Sequence, residues 1–274
     1  MRRLTRQGVA PAEAARAALA STLDDRSSTA LVHLTATIPT GMAEEVAVAT
    51  QEALRPETQE RVAGGRVIKL PGATTAARGL ARASMALDAH AASELLIDAL
   101  ASRGVIWTWE QVITPVLIGV GRRWEQTGEG VEVEHLLSEA VAGAFRGVSA
   151  TAGPGRNARP VLLASAEEEN HSLPLHVLAA ALAERQISSR ILGPRLPRVA
   201  LADAIRRSGP AAVFLWSQLP ATGESAQLRG LPVQRPATLI VTGGPGWQDD
   251  MPPGVVHAND LRDALARIVE ACGA

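Results

Sequence analysis

The sequence predicts an α plus α/β protein, a four-helix bundle followed by a parallel sheet covered with helices. Two changes of pattern along the chain predict it. Over residues 70–150 apolar residues recur every three or four positions between glycine breaks. From Arg159 onward short β-prone runs alternate with helical stretches. The first pattern gives each helix one apolar stripe, and the second requires right-handed crossovers between parallel strands.

Four regions follow in order. Residues 1–20 read as two short helical pieces joined at Gly8, with Pro11 and Glu13 in the first turn of the second piece. Residues 21–69 are a mixed stretch without a firm period, taken as linker with some helix. In the bundle, Asp88 is placed to cap a helix carrying Leu95, Leu96, Ala99 and Leu100 that ends at Gly104. Thr108 is placed to cap the next, whose Val112, Val116, Val120 and Trp124 are four apart. After Gly128 and Gly130 a last helix aligns Val133, Leu136, Leu137, Ala140, Ala144 and Phe145. Residues 151–274 then supply strands at 161–164, 188–192, 212–216, 239–242 and, more weakly, 255–257. Helices are expected near Leu175, Arg198 and Asp260.

Composition narrows the function classes. The 274 residues are 46% hydrophobic and 20% charged, which excludes wholesale disorder. A net charge of -1 denies the chain the positive field of a strong nucleic-acid binder. Cys272 is the only cysteine, so a disulfide framework and a multi-cysteine zinc site are excluded. No secretory signal is visible at the start, and the most apolar run, residues 112–120, is far too short to span a bilayer. The expected compartment is the cytoplasm, with no membrane partner.

Chemistry concentrates at the carboxyl ends of the expected strands, where ligands bind in such sheets. Behind the first strand stands Glu169-x-His171-x-x-Pro174. A neutral imidazole ligates transition metals well, and a carboxylate two residues away can orient it through its other N–H. Alone, a histidine in an acidic loop is an ordinary solvated feature. The third strand, however, ends in Ser217-x-Leu219 and the fourth in Gly243-Gly244, where a missing Cβ lets a bulky ligand approach the backbone. In the bundle, Trp124 closes one helix and Glu134-His135 opens the next across a glycine-containing turn.

Taken together these segments resemble the base-off/His-on cobalamin-binding domain, whose pattern is Asp or Glu-x-His-x-x-Gly, then Ser-x-Leu, then Gly-Gly. Trp124-x9-Glu134-His135 further resembles the adenosylcobalamin pocket of MerR-type cobalamin photoreceptor regulators, the CarH/LitR-like proteins. The resemblance covers residues 70–274. It implies a flavodoxin-like, Rossmann-type sheet with His171 as the lower cobalt ligand. The nucleotide tail would then run beside Ser217, Leu219, Gly243 and Gly244. Trp124, Glu134 and His135 would contact the upper adenosyl group. Pro174 departs from the pattern, which has glycine there, and Glu125 stands where some members carry a histidine after the tryptophan.

Residues 2–19 resemble only the closing segment of a MerR-type winged-helix domain. The helix that would enter the major groove is expected to be missing from this chain, so DNA is a partner only through a reader supplied elsewhere. No P-loop follows Gly243-Gly244, and no nucleophile elbow surrounds Ser217. His33, His176 and His257 read as surface or helix-face residues, and Asp249-Asp250 as a solvated turn. The expected protein is therefore a non-enzymatic, homo-oligomeric sensor that binds adenosylcobalamin and controls transcription in response to light. A corrinoid carrier serving a methyltransferase is the alternative.

Overall fold

The computed structural model describes residues 68–248 and 250–273. The expected pieces at 1–20 and most of the stretch at 21–69 lie outside the described residues. Among those described, four helices come first: α1 Thr75–Met85, α2 Ala89–Thr108, α3 Thr114–Thr127 and α4 Val131–Thr151. Their starts follow from side-chain caps. Thr74 accepts from the Ala77 N–H at 3.1 Å, and Asp88 from the Ala91 N–H at 2.9 Å, so each satisfies a donor that the first turn leaves orphaned. The turn between α3 and α4 uses two left-handed glycines, Gly128 at φ 70° and Gly130 at φ 108°.

The passage from α2 to α3 differs from the expectation. Thr108 does not cap a new helix; it is helical, buried, and its hydroxyl makes no side-chain cap. The break falls earlier, at Gly104 (φ 80°, ψ 175°), and the chain then resumes helix and runs through a π-helical turn, Trp109–Ile113, directly into α3. The kink strips the Val105 N–H of its intrahelical acceptor. Glu184, from the first helix of the sheet layer, replaces it at 2.9 Å.

The sheet has five parallel strands in the order β2-β1-β3-β4-β5: β1 Val161–Ser165, β2 Ser189–Gly193, β3 Ala212–Trp216, β4 Leu239–Gly243 and β5 Val255–Ala258. Helices α5 Leu173–Glu184 and α7 Leu261–Cys272 cover one face, and α6 Arg198–Ser208 the other. Strand alternation sorts the core. Ala212, Phe214 and Trp216 pack towards α5, α7 and the bundle, while Val213 and Leu215 pack against Leu201 and Ile205 of α6. The first of these cores is continuous with the bundle interior, joining Leu96, Ile113, Leu137 and Phe145 to Leu178 and Leu182. A bidentate pair, Arg262 to Glu110 at 2.8 Å for both bonds, closes the same seam at the surface. No helix of the described residues is long and apolar enough to cross a membrane.

Gly104 occupies a backbone region that side chains with a Cβ adopt only under strain. Gly104→Ala is expected to destabilise the protein by about 1–3 kcal/mol. Urea denaturation followed by circular dichroism checks it, and an unchanged midpoint would contradict the strain.

Candidate functional site

The strand order changes direction around β1, so the carboxyl ends of β1 and β3 flank the crevice of the sheet. The loop leaving β1 carries Glu169 and His171 into it. Glu169 is completely buried. Its Oε1 accepts from the His171 backbone N–H at 2.9 Å and from the His171 ring Nδ1 at 2.5 Å. Its Oε2 accepts from the backbone N–H groups of Gln218 at 2.8 Å and Leu219 at 3.2 Å, and from the Thr222 hydroxyl at 2.6 Å. Burial by itself would push this carboxyl up. The hydrogen bonds from His171, Thr222 and Gln218 outweigh it and hold the group at about 2, below an ordinary 4.5.

An ionised carboxylate can only accept, so Nδ1 of His171 carries the proton. In the neutral tautomer that this bond selects, the lone pair lies on Nε2. The rest of the loop is pinned as firmly: Ser165, the last residue of β1, donates to the His171 carbonyl at 2.8 Å, and the Glu169 carbonyl accepts from the Arg195 N–H at 2.8 Å.

Ser217 is buried and engaged. Thr222 has one hydroxyl proton and gives it to Glu169, so Ser217 donates to Thr222 at 2.8 Å, and a relay Ser217–Thr222–Glu169 results. Gly243 and Gly244 serve close approach. A Cβ on Gly243 would stand 2.6 Å from Phe214 Cζ. One on Gly244, whose φ is +100°, would stand 2.2 Å from the Ser217 carbonyl oxygen. Beneath these strand ends a cleft runs between α5 and α7, lined by Pro174, Trp216, Gly243, Gly244, Leu261 and Trp109 among others. The cleft is narrow, with room for little more than a water between its walls. Ser217 is not one of its lining residues. Pro174 occupies the first turn of α5, where its missing N–H needs no acceptor, so the departure from the glycine pattern costs the helix nothing.

The structure thus brings Glu169, His171, Ser217, Leu219, Gly243 and Gly244 to one edge of the sheet. Trp124, Glu134 and His135 flank the Gly128–Gly130 turn at one end of the bundle. Trp124 is half-buried. Glu134 accepts from Ser138 at 2.8 Å and stands 3.1 Å from His135 Nδ1, and the His135 side chain is 73% exposed. Two participants escape sequence reading. Thr222 is visible only as the residue five after Ser217, and nothing in the spacing marks it as a donor. Trp216 reads as an ordinary strand residue, although its parity with Ala212 and Phe214 places it on the face of the cleft.

Comparison with known proteins bears on the ligand. Residues 76–146, the bundle, match the family model described as B12 binding domain. The match supports a cobalamin cofactor. The HTH-type transcriptional repressor CarH of Myxococcus xanthus is 31% identical over 175 residues, which cover 60% of this chain and 58% of the repressor. The chain therefore matches less than two thirds of that relative's length. Among solved structures, the monomethylamine corrinoid protein of Methanosarcina barkeri shares the fold, with a TM-score of 0.52 at 14% identity. The similarity covers 70% of this chain and 95% of that one.

The residues present fit a corrinoid. Among the described residues no group of three or more His, Cys, Asp or Glu side chains could cage a bare metal ion. A metal held by the single imidazole of His171 must bring its remaining ligands with it, as a corrinoid does. The cleft adds walls that are apolar side chains apart from Asp260, and one orphaned polar atom, the Trp216 Nε1, which has no hydrogen-bond partner.

Glu169→Gln keeps the shape but sets an amide NH2 against N–H and O–H donors whichever way it is turned. In the ligand-free protein it is expected to cost roughly 2–4 kcal/mol at pH 7. Because the folded-state value lies below the ordinary one, the carboxylate's stabilisation is complete above about pH 4.5 and is lost as the pH falls towards about 2. Urea melts at pH 7 and pH 3 should show the gap between parent and variant narrowing in acid; a constant gap would rule out an ionised Glu169.

Proposed function

We propose that this chain is a cobalamin-dependent, non-enzymatic regulator in which adenosylcobalamin serves as a light-sensitive ligand. The observation that carries the reading is the clamp of buried Glu169 on His171 Nδ1. It fixes the His171 ring at the switch point of the sheet and makes Nε2 the nitrogen that would ligate cobalt. The B12-binding match of the bundle and the 31% identity to a transcriptional repressor support the ligand and the regulatory role.

In this reading His171 would hold the metal, and Glu169 fixes the tautomer and orientation of the ring. Trp124 covers the upper face, where an indole offers a broad apolar surface. Glu134 and His135 hydrogen-bond the adenosyl hydroxyls. The cofactor supplies a weak cobalt–carbon bond that light can break. Loss of an adenosyl group would remove the contacts that Trp124, Glu134 and His135 make with it and would leave the His171 contact in place. The bundle surface around the Gly128–Gly130 turn changes and, with it, association between copies of the chain. DNA contact belongs to a reading element beyond the bundle and sheet.

Two outcomes are expected. His171→Ala should convert the visible spectrum of the bound cobalamin from the His-ligated to the base-off form and weaken binding; a spectrum and affinity equal to the parent's would remove His171 from the cobalt. Adenosylcobalamin should bind more tightly than methylcobalamin, by about 1–3 kcal/mol for each buried polar group that the methyl form leaves unpaired. Size-exclusion chromatography should show oligomers in the dark that rearrange on illumination. Equal affinities with an unchanged elution volume would favour the carrier reading, in which the protein hands a corrinoid to a methyltransferase.

A further inference from the structure

The chain enters the bundle through a short segment, Ile68–Leu70, that lies against α3. Both of its apolar side chains meet the same residue. A Cβ on Gly119 would stand 2.4 Å from Ile68 Cγ2 and 2.9 Å from Leu70 Cδ2, so the pair fills a notch that only glycine leaves open. Glycine inside a helix is less stable than alanine, and the seat for this pair is what the position gains. Ile68 and Leu70 are half-buried against the shared core, while Lys69 between them is exposed. Just beyond, Thr74 donates its hydroxyl to the Gln111 carbonyl at 3.0 Å. The segment is thus held at two points, each on an element that also faces the candidate site. Gln111 shares the π-helical turn with Trp109, which lines the cleft, and Gly119 shares α3 with Trp124. Neither Ile68 nor Leu70 lines the cleft.

We propose that Ile68–Leu70 is a strap whose seating on Gly119 is coupled to occupancy of the cobalamin site, so that ligand and strap strengthen each other's hold. The inference rests on the cobalamin reading and gives that site an output, the point where residues 1–67 join the bundle. The turn Trp109–Ile113 is the joint. It runs π-helical between α-helical stretches, and the Thr108 hydroxyl at its start is buried without a partner. Such turns are rare in helices and recur at functional sites. A seated strap holds α3 in one placement. With the strap unseated, Ile68 and Leu70 lose their apolar contacts, and α3 is free to shift about the joint and take Trp124 with it. A ligand whose upper face needs Trp124 therefore binds the strapped protein more tightly. By linkage, the bound ligand tightens the strap by the same factor.

Lys69 makes the strap directly readable, because it is the only lysine in the 274 residues. A lysine-specific protease therefore cuts the full chain at one bond, Lys69–Leu70, and must draw the strap off its seat to do so. The rate then follows the unseated population. In the parent, cleavage should slow about tenfold on saturation with adenosylcobalamin in the dark. Gly119→Ala fills the notch and suits the helix, so its circular dichroism should match the parent's. It should be cut several-fold faster without ligand, and absorbance titration should show adenosylcobalamin bound about tenfold more weakly. Ile68→Ala, which empties the notch instead of filling it, should do the same. A cleavage rate that ligand leaves unchanged in a parent that binds it, or variants cut faster that still bind as the parent does, would overturn the coupling. Variants cut at the parental rate would overturn the strap. A parent that binds no cobalamin would instead overturn the cobalamin reading and the coupling that rests on it, while the ligand-free rates still decide the seat on Gly119.

Discussion

The site is organised by one buried negative charge. Glu169 has no solvent contact, and an isolated carboxylate so placed would protonate or drive the loop outward. It stays ionised because five donors converge on it from two directions, the loop after β1 and the segment after β3. The same bonds that solvate the charge join the two strand ends and aim the imidazole. Position, tautomer and loop geometry of His171 are thus consequences of a single electrostatic requirement. A neutral residue at 169 would leave these two segments without a common anchor.

The second organising fact is that the bundle and the sheet share a core. Leu178 and Leu182 of α5 face Leu137 and Phe145 of the bundle within one apolar cluster, and Phe214 and Trp216 of the sheet belong to it too. Polar ties at its margins repeat the coupling: Glu184 takes the N–H that the Gly104 kink releases, and Arg262 holds Glu110 of the π-helical turn. Trp109 lies in that turn and also lines the cleft under β4. A ligand that enters the cleft therefore touches both layers.

Much of this was legible in the residues. Strand alternation and the glycine and proline punctuation placed all five strands within a residue or two, because each run is short, β-branched or aromatic, and bounded by breakers. Asp88 was readable as a cap since its side chain acts locally. Thr108 was misleading for a related reason. A threonine before an apolar stripe looks like a cap, but the Gly104 break upstream and the packing of Trp109 on Phe145, at 6.3 Å between ring centroids, carry the helix through it. At the site, Glu169 and His171 are sequence neighbours and stood out together. Thr222 and the orphaned indole of Trp216 did not, because their roles come from three-dimensional convergence of residues some fifty positions apart, which no local pattern records.

The kink at Gly104 has a consequence for how the protein comes apart. The Val105 N–H finds its acceptor only on α5, so the second half of α2 is completed by a residue nearly eighty positions later in the chain. A bundle released from the sheet would lose that acceptor and expose the apolar side it shares with α5. Bundle and sheet therefore melt as one cooperative unit. A ribosome making the chain from its amino end releases a bundle that stays unfinished until Glu184 has emerged.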